Sequence, residues 1–239
     1  MPGDILFEHP DWKAMPQAPK NCECGWVNDQ GMVICLSHFG PDKGLRDRMS
    51  DVKSVRDHYR AGFAKEGSGL IECDVCEFEG VRGVRAIGKL LLQPNGAAYA
   101  GTIAMPLPKE SYVFNLVAKE RGITGLREAA VMLKMTAELE KQGFTLNVPP
   151  PDQSQTKVAR FSWRNASTGA LIYWEQDPYD PDWRGPCLRN LADAPEHDSG
   201  FPEHPVSRIR AALQCLAQGM RLSPELKKRA VEKKRWKFW

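Results

Sequence analysis

The chain has 239 residues, of which 42% are hydrophobic and 26% charged, with a formal net charge of +3. These proportions fit a folded globular chain, and they argue against disorder or a coiled coil over its whole length. No apolar run approaches the ~18 residues a membrane-spanning helix needs, and no basic-then-apolar segment opens the chain, so the expectation is a cytoplasmic protein.

The charge is uneven. Residues 223–239 hold seven Lys/Arg against two Glu, which leaves the remaining body at −2. A broad nucleic-acid surface on that body is therefore not expected. The seven cysteines (Cys22, Cys24, Cys35, Cys73, Cys76, Cys187 and Cys215) are odd in number, and reduced thiols are the natural reading.

Residues 1–21 are rich in proline and polar residues and read as an extended arm. Trp26-Val27 and Met32 to Phe39 flank Asn28-Asp29-Gln30-Gly31, a hairpin pattern. Leu45, Met49, Val52, Val55, Tyr59 and Phe63 then recur at helical spacing, and Gly67-Ser68-Gly69 closes that helix. Ile71, Cys73 and Val75 alternate as a strand. The apolar parity then slips to Cys76 and Phe78, which predicts a bulge near Val75-Cys76. Strands follow over 83–93, 97–105 and 111–118, the first two joined by a Pro94-Asn95-Gly96 turn.

Thr124 is the expected cap of a helix to about Gln142, with Gly143 past its end. Apolar residues on much of its circumference predict packing on a sheet and partly beneath something else. After Pro149-Pro150-Pro151, residues 157–163 and 170–174 read as a hairpin that could extend the same sheet. Residues 175–205 read as a long ordered loop with eight Asp/Glu and six prolines. Val206, Ile209, Leu213, Leu216 and Met220 mark a helix beginning at Pro205, and Ser223-Pro224-Glu225 opens a last basic helix. Successive hairpins require antiparallel neighbours. The predicted fold is α+β: an antiparallel sheet covered by helices (an α/β/α sandwich), with a C-terminal hairpin and helical extension. The arm would cover 1–21, the sandwich 22–148, and the extension 149–239, packed on the same domain.

Catalytic signatures are sparse. Cys22-Glu23-Cys24 and Cys73-Asp74-Val75-Cys76 together could offer four thiolates to zinc. However, the first pair has a one-residue gap and the second lies in a strand pattern, so free thiols are expected and no metal is assigned. The five histidines show no family spacing to a cysteine, and phosphate-loop, Gly-x-Ser-x-Gly and His-Glu-x-x-His patterns are missing. No catalytic residue and no cofactor are expected. Asp177, Asp180 and Asp182, with Glu196, Asp198 and Glu203, lack the spacing of a calcium loop and read as a solvated segment touching the basic tail. His197 and His204 read as surface histidines before a helix.

The tail Lys233 to Trp239 interleaves cations with Trp236, Phe238 and Trp239. It is too short for stable membrane anchoring alone. Surplus aromatics outside the strands, with no assembled chemistry, point to protein binding. The candidate partner-binding residues are Trp174, Tyr179, Trp183, Trp236, Phe238 and Trp239.

Tyr112-Val113-Phe114, followed by Glu120-Arg121-Gly122-Ile123-Thr124-Gly125-Leu126-Arg127-Glu128-Ala129, resembles the strand-to-closing-helix passage of the PsbP/DcrB-like α/β/α sandwich family. The resemblance covers residues 22–143, about half the chain, and residues after Pro149 have no counterpart in it. One branch of that family comprises type VI secretion effector chaperones, whose sheet holds apolar effector helices. The resemblance thus implies a non-enzymatic accessory factor (a chaperone, adaptor or immunity protein) with a secreted effector or toxin as partner. The alternative is a hydrolase or toxin domain using the acidic and histidine-bearing region from Asp177 to His204.

Overall fold

The computed structural model describes residues 3–93, 96–148 and 161–231. In chain order the elements are β1 (Ile5–Phe7), β2 (Trp12–Ala14), β3 (Cys24–Asn28), β4 (Val33–Phe39), α1 (Lys43–Arg48), α2 (Val52–Lys65), β5 (Gly69–Phe78), β6 (Val81–Leu91), β7 (Ala97–Pro106), β8 (Ser111–Lys119), α3 (Leu126–Glu140), β9 (Phe144–Asn147), β10 (Ser162–Asn165), β11 (Leu171–Tyr173), α4 (Pro205–Gly219), β12 (Met220–Leu222) and α5 (Pro224–Ala230). Two 3₁₀ turns, Leu191–Asp193 and Pro195–Gly200, interrupt the long loop before α4.

Seven strands form one antiparallel sheet in the order β2-β3-β4-β8-β7-β6-β5. On one face lies α4. Its Val206, Ile209, Leu213 and Leu216 share a stripe and enter the larger core with Trp26, Tyr99, Ile103 and Phe114. Gly101 makes the approach possible, because a Cβ there would stand 2.8 Å from Ile209 Cγ2. On the other face, Leu45, Met49 and Val55 of the first two helices meet Leu70, Cys73, Val84 and Ala86 in a smaller core, with Tyr59 and Phe63 alongside. The fold is therefore α+β, an antiparallel sheet with helices on both faces. No helix among the described residues is long and apolar enough to cross a membrane.

Several expectations need correction. Residues 1–21 do not form a free arm: β1 pairs with β12, β2 forms an edge of the sheet, and Ile5, Phe7 and Trp12 are buried. The helix expected from Leu45 to Phe63 is two helices, because the Asp51 side chain accepts from Lys53 N–H and starts α2 afresh. The register shift in β5 lies between Leu70 and Glu72, not at Val75-Cys76. Ile71 enters the larger core and Cys73 the smaller one, while Cys76 and Phe78 serve the larger. With both faces covered, both parities of one strand can be apolar, and no second bulge is required.

The C-terminal hairpin does not extend the main sheet. β10 and β11 pair with each other, and β10 pairs with β9, in a separate three-stranded sheet. α3 lies against this small sheet: Val131 and Leu139 pack with Trp163, Trp174 and Ala192. Thr124 is not its cap; Gly125, at φ 74°, precedes the first turn with no side-chain capping bond. The turn residues Pro94 and Asn95 lie outside the described residues, but the strands they were expected to join do pair.

Candidate functional site

The acidic loop folds inward rather than remaining solvated. Asp177 accepts from both Nε and Nη2 of Arg60. Asp193 receives Lys89 Nζ at 3.0 Å and the Tyr99 hydroxyl at 2.6 Å. Asp198 accepts from Arg127 at 3.0 Å and from Arg210 at 2.7 Å. Arg127 also donates to the carbonyls of Ala192 and Ala194, and Arg210 to Glu72. Each buried charge thus has a counter-charge or carbonyl, as burial demands.

At the edge of this network three side chains from three elements converge. Glu120 follows β8, and its two oxygens accept from the N–H groups of Ala97 (2.7 Å) and Gly125 (3.1 Å). Glu128 sits in the first turn of α3. His204 caps α4: Pro205 has no N–H, so Val206 offers the first, and it donates to Nδ1 at 3.3 Å. That bond leaves the neutral ring's proton on Nε2. Nε2 stands 3.7 Å from Glu120 Oε1 and 3.8 Å from Glu128 Oε1. The Tyr99 ring meets the imidazole edge-on, with centroids 5.5 Å apart.

Burial pushes the His204 pKa down to about 4, with Arg127 adding to the effect against the pull of Glu120 and Asp193. The imidazole is neutral at pH 7. Burial also acts to discharge Lys89, but Asp193 and Glu128 outweigh it and hold the ammonium charged. Burial, reinforced by Asp193, raises the Tyr99 hydroxyl far above its ordinary value.

Glu120 and His204 line a cleft of about 610 Å³ between the loop that leads into α3 and the turn that leads into α4. Lys119, Arg121 and Arg208 stand on its sides, with Glu203 and Phe201. On the α3 side the surface is aliphatic and bare: Ile123 is 81% exposed and Leu126 58%, and Leu133, two turns further on, is 75% exposed. Ser207, just past the cap, is already committed: it accepts from Arg127 and donates to Asp198. The arrangement offers hydrogen bonding, charge and apolar contact in one depression.

Trp174 is 5% exposed with its ring on Trp163, so its face is used inside the protein. The Tyr179 hydroxyl accepts from Cys73 N–H and its ring lies under Arg56; half-buried Trp183 lies under Arg60. Tyr179 and Trp183 hold the loop to α2 and β5, whereas Trp174 packs in the core beneath α3. Trp236, Phe238 and Trp239 lie outside the described residues. Asp177 and His204 do not meet: Asp177 is taken by Arg60, and His204 faces Glu120 and Glu128. Cys73 and Cys76 serve opposite cores and cannot converge on one ion. Glu120, Glu128, Lys89 and Tyr99 escaped the sequence reading. Lys89 carried a signal, a lone cation within the apolar strand Ala86 to Leu91, which betrays a buried counter-charge.

No family model matches the sequence, and no curated protein matches it. Among solved structures the chain is similar to the solution structure of cyanobacterial PsbP (CyanoP) from Synechocystis sp. PCC 6803, at 11% identity and a TM-score of 0.34, over 56% of this chain and 84% of that one. The likeness is a coarse one, carries no functional argument, and says nothing of DcrB or type VI secretion.

Proposed function

We propose that the protein is a non-enzymatic binding factor, of chaperone, adaptor or immunity type, that holds a segment of a partner protein along the start of α3 and in the adjoining cleft. The bareness of Ile123, Leu126 and Leu133 beside a 610 Å³ depression carries this reading. Aliphatic surface that a chain fails to bury on itself is a common mark of an interaction site. Lys119, Arg121, Arg127 and Arg208 outnumber Glu120 and Glu203 around the cleft, so the complementary segment is aliphatic with acidic flanks. Burial of the aliphatics, worth about 25 cal/mol per Å², supplies the affinity, and the cations steer the encounter. A secreted effector or toxin is the partner class that the family resemblance implies.

Photo-crosslinking in cells from positions 126 and 133 tests the reading. A single shared partner is expected from both positions and not from Leu6, which is 54% exposed on β1. No crosslink, or the same products from position 6, overturns it. The hydrolase alternative is favoured by one observation, the convergence of His204 on Glu120 and Glu128. It requires turnover of an ester or phosphoester that His204→Asn abolishes.

A further inference from the structure

We propose that Glu120, Glu128 and His204 form a binding site for one divalent first-row cation, of the zinc or manganese class, on the wall of the cleft. One ligand atom from each residue lies within 4.8 Å of the others, and the two distances from Nε2 are 3.7 and 3.8 Å. Ligand atoms about 2.0–2.2 Å from a common cation stand roughly 3–4 Å apart, so a contraction of less than an ångström closes the shell. One imidazole with two carboxylates is a donor set that zinc, manganese and cobalt accept.

The clustering alone would not single out a ligand. The His204 side chain is 7% exposed, yet its Nε2 has no hydrogen-bond partner among the described residues, and neither has the buried Oε2 of Glu128. Buried polar atoms are nearly always satisfied, and the unpartnered Nε2 faces Oε1 of Glu128 at 3.8 Å and Oε1 of Glu120 at 3.7 Å, which marks a place where a further group belongs. The charges agree. The linked network holds five carboxylates (Glu72, Glu120, Glu128, Asp193 and Asp198) against three cations (Lys89, Arg127 and Arg210). A divalent cation cancels the excess of two.

The supporting contacts are those of a held site. Backbone N–H groups of Ala97 and Gly125 orient Glu120, and the edge of Tyr99 orients the ring. One bond opposes the site. Val206 N–H on Nδ1 puts the ring proton on Nε2, so ligation by Nε2 requires that proton to move to Nδ1 and the bond from Val206 N–H to be given up. At 3.3 Å the cap is at the long end of the hydrogen-bond range, which limits the resistance. With three protein ligands, a further position stays open toward the cleft that Glu120 and His204 line.

The test uses the full-length chain stripped with a chelator and titrated with manganese(II), which avoids the seven thiols. One equivalent is expected, read by electron paramagnetic resonance, with the nitrogen coupling of a single imidazole. Glu128→Gln and His204→Asn should each weaken binding about tenfold or more. The asparagine keeps an oxygen to accept from Val206 N–H, so α4 stays capped. Manganese that shows no stoichiometric binding, binds without imidazole coupling, or binds both variants as tightly as the parent overturns the proposal.

Discussion

Arg60 on α2 and Asp177 in the long loop stand 117 positions apart and meet through two parallel hydrogen bonds of 2.9 Å, Nε to Oδ2 and Nη2 to Oδ1. The side chains are only 6% and 2% exposed. Asp177 Oδ1 also accepts from the N–H groups of Tyr179 and Asp180, so one carboxylate both shapes the loop and fastens it to the helix.

Removing that carboxylate strands a buried guanidinium. Asp177→Ala should cost about 2–4 kcal/mol, because a broken buried pair leaves its partner charge uncompensated, with Asp57 offsetting part of the loss. Urea denaturation measures it. Amide exchange should rise first over residues 178–184, while the amides of β7 stay protected.

Asp4 ties the N-terminal strand to α5. Burial acts to raise its pKa, but the bonds from Arg229 and Ser223 outweigh that, and the net value lies below the usual 3.8. The carboxylate is more acidic folded than unfolded. Its contribution is therefore complete above about pH 4 and disappears as pH falls through the folded value. Asp4→Asn should cost about 1 kcal/mol at pH 7, since half-exposed Arg229 is screened. The difference from the parent should shrink as pH falls below about 4, measured as urea midpoints at pH 7 and in acid.

Burial pushes the Cys73 thiol up to about 12, with Asp74 adding to the effect, and raises Cys187 to about 11 against the opposing pull of Lys89. At pH 8 their thiolate fractions are only about one in ten thousand and one in a thousand. Alkylation of the native protein followed by peptide mass mapping should leave both unmodified while half-buried Cys22 reacts. Prompt labelling of Cys73 would mean that the helices over β5 open readily.

Two glycines should respond in opposite directions. A Cβ on Gly69 would lie 2.7 Å from the Cys187 carbonyl carbon, so Gly69→Ala should destabilise by about 1–3 kcal/mol. Gly62, in α2, has nothing within 4 Å of the same point, and Gly62→Ala should stabilise by about 0.5–1 kcal/mol. Thermal midpoints of the pair decide it.

On α3 the inner and outer faces should separate cleanly. Val131→Ala should cost about 2 kcal/mol, because Val131 packs with Trp163 and Trp174. Leu133→Ser should stay within about 0.5 kcal/mol of the parent, since Leu133 is exposed. Calorimetry of the two variants measures the contrast.

Where burial follows a local period, the sequence was readable. Tyr112, Phe114 and Leu116 alternate and are buried, and Val206, Ile209, Leu213 and Leu216 form the stripe that α4 buries. The Asn28 to Gly31 turn was readable because Gly31 takes φ 73° and Asn28 closes it. β5 misled because Cys73 and Cys76 each find a core, so its parity carries no sign of which face is inside. The candidate site left almost no local trace. Glu128 reads as an ordinary first-turn acid and His204 as a helix lead-in; their relation spans 76 positions and exists only once α3 and α4 converge. Arg60 and Asp177 are invisible for the same reason.

The clasp of Ile5 to Leu222 and Phe7 to Met220 joins segments far apart in the order of synthesis. While the polypeptide is still emerging from the ribosome, Ile5 and Phe7 have no strand to pair with until residues 220–222 have been made. These two apolar side chains wait for partners that lie more than two hundred positions further along the chain.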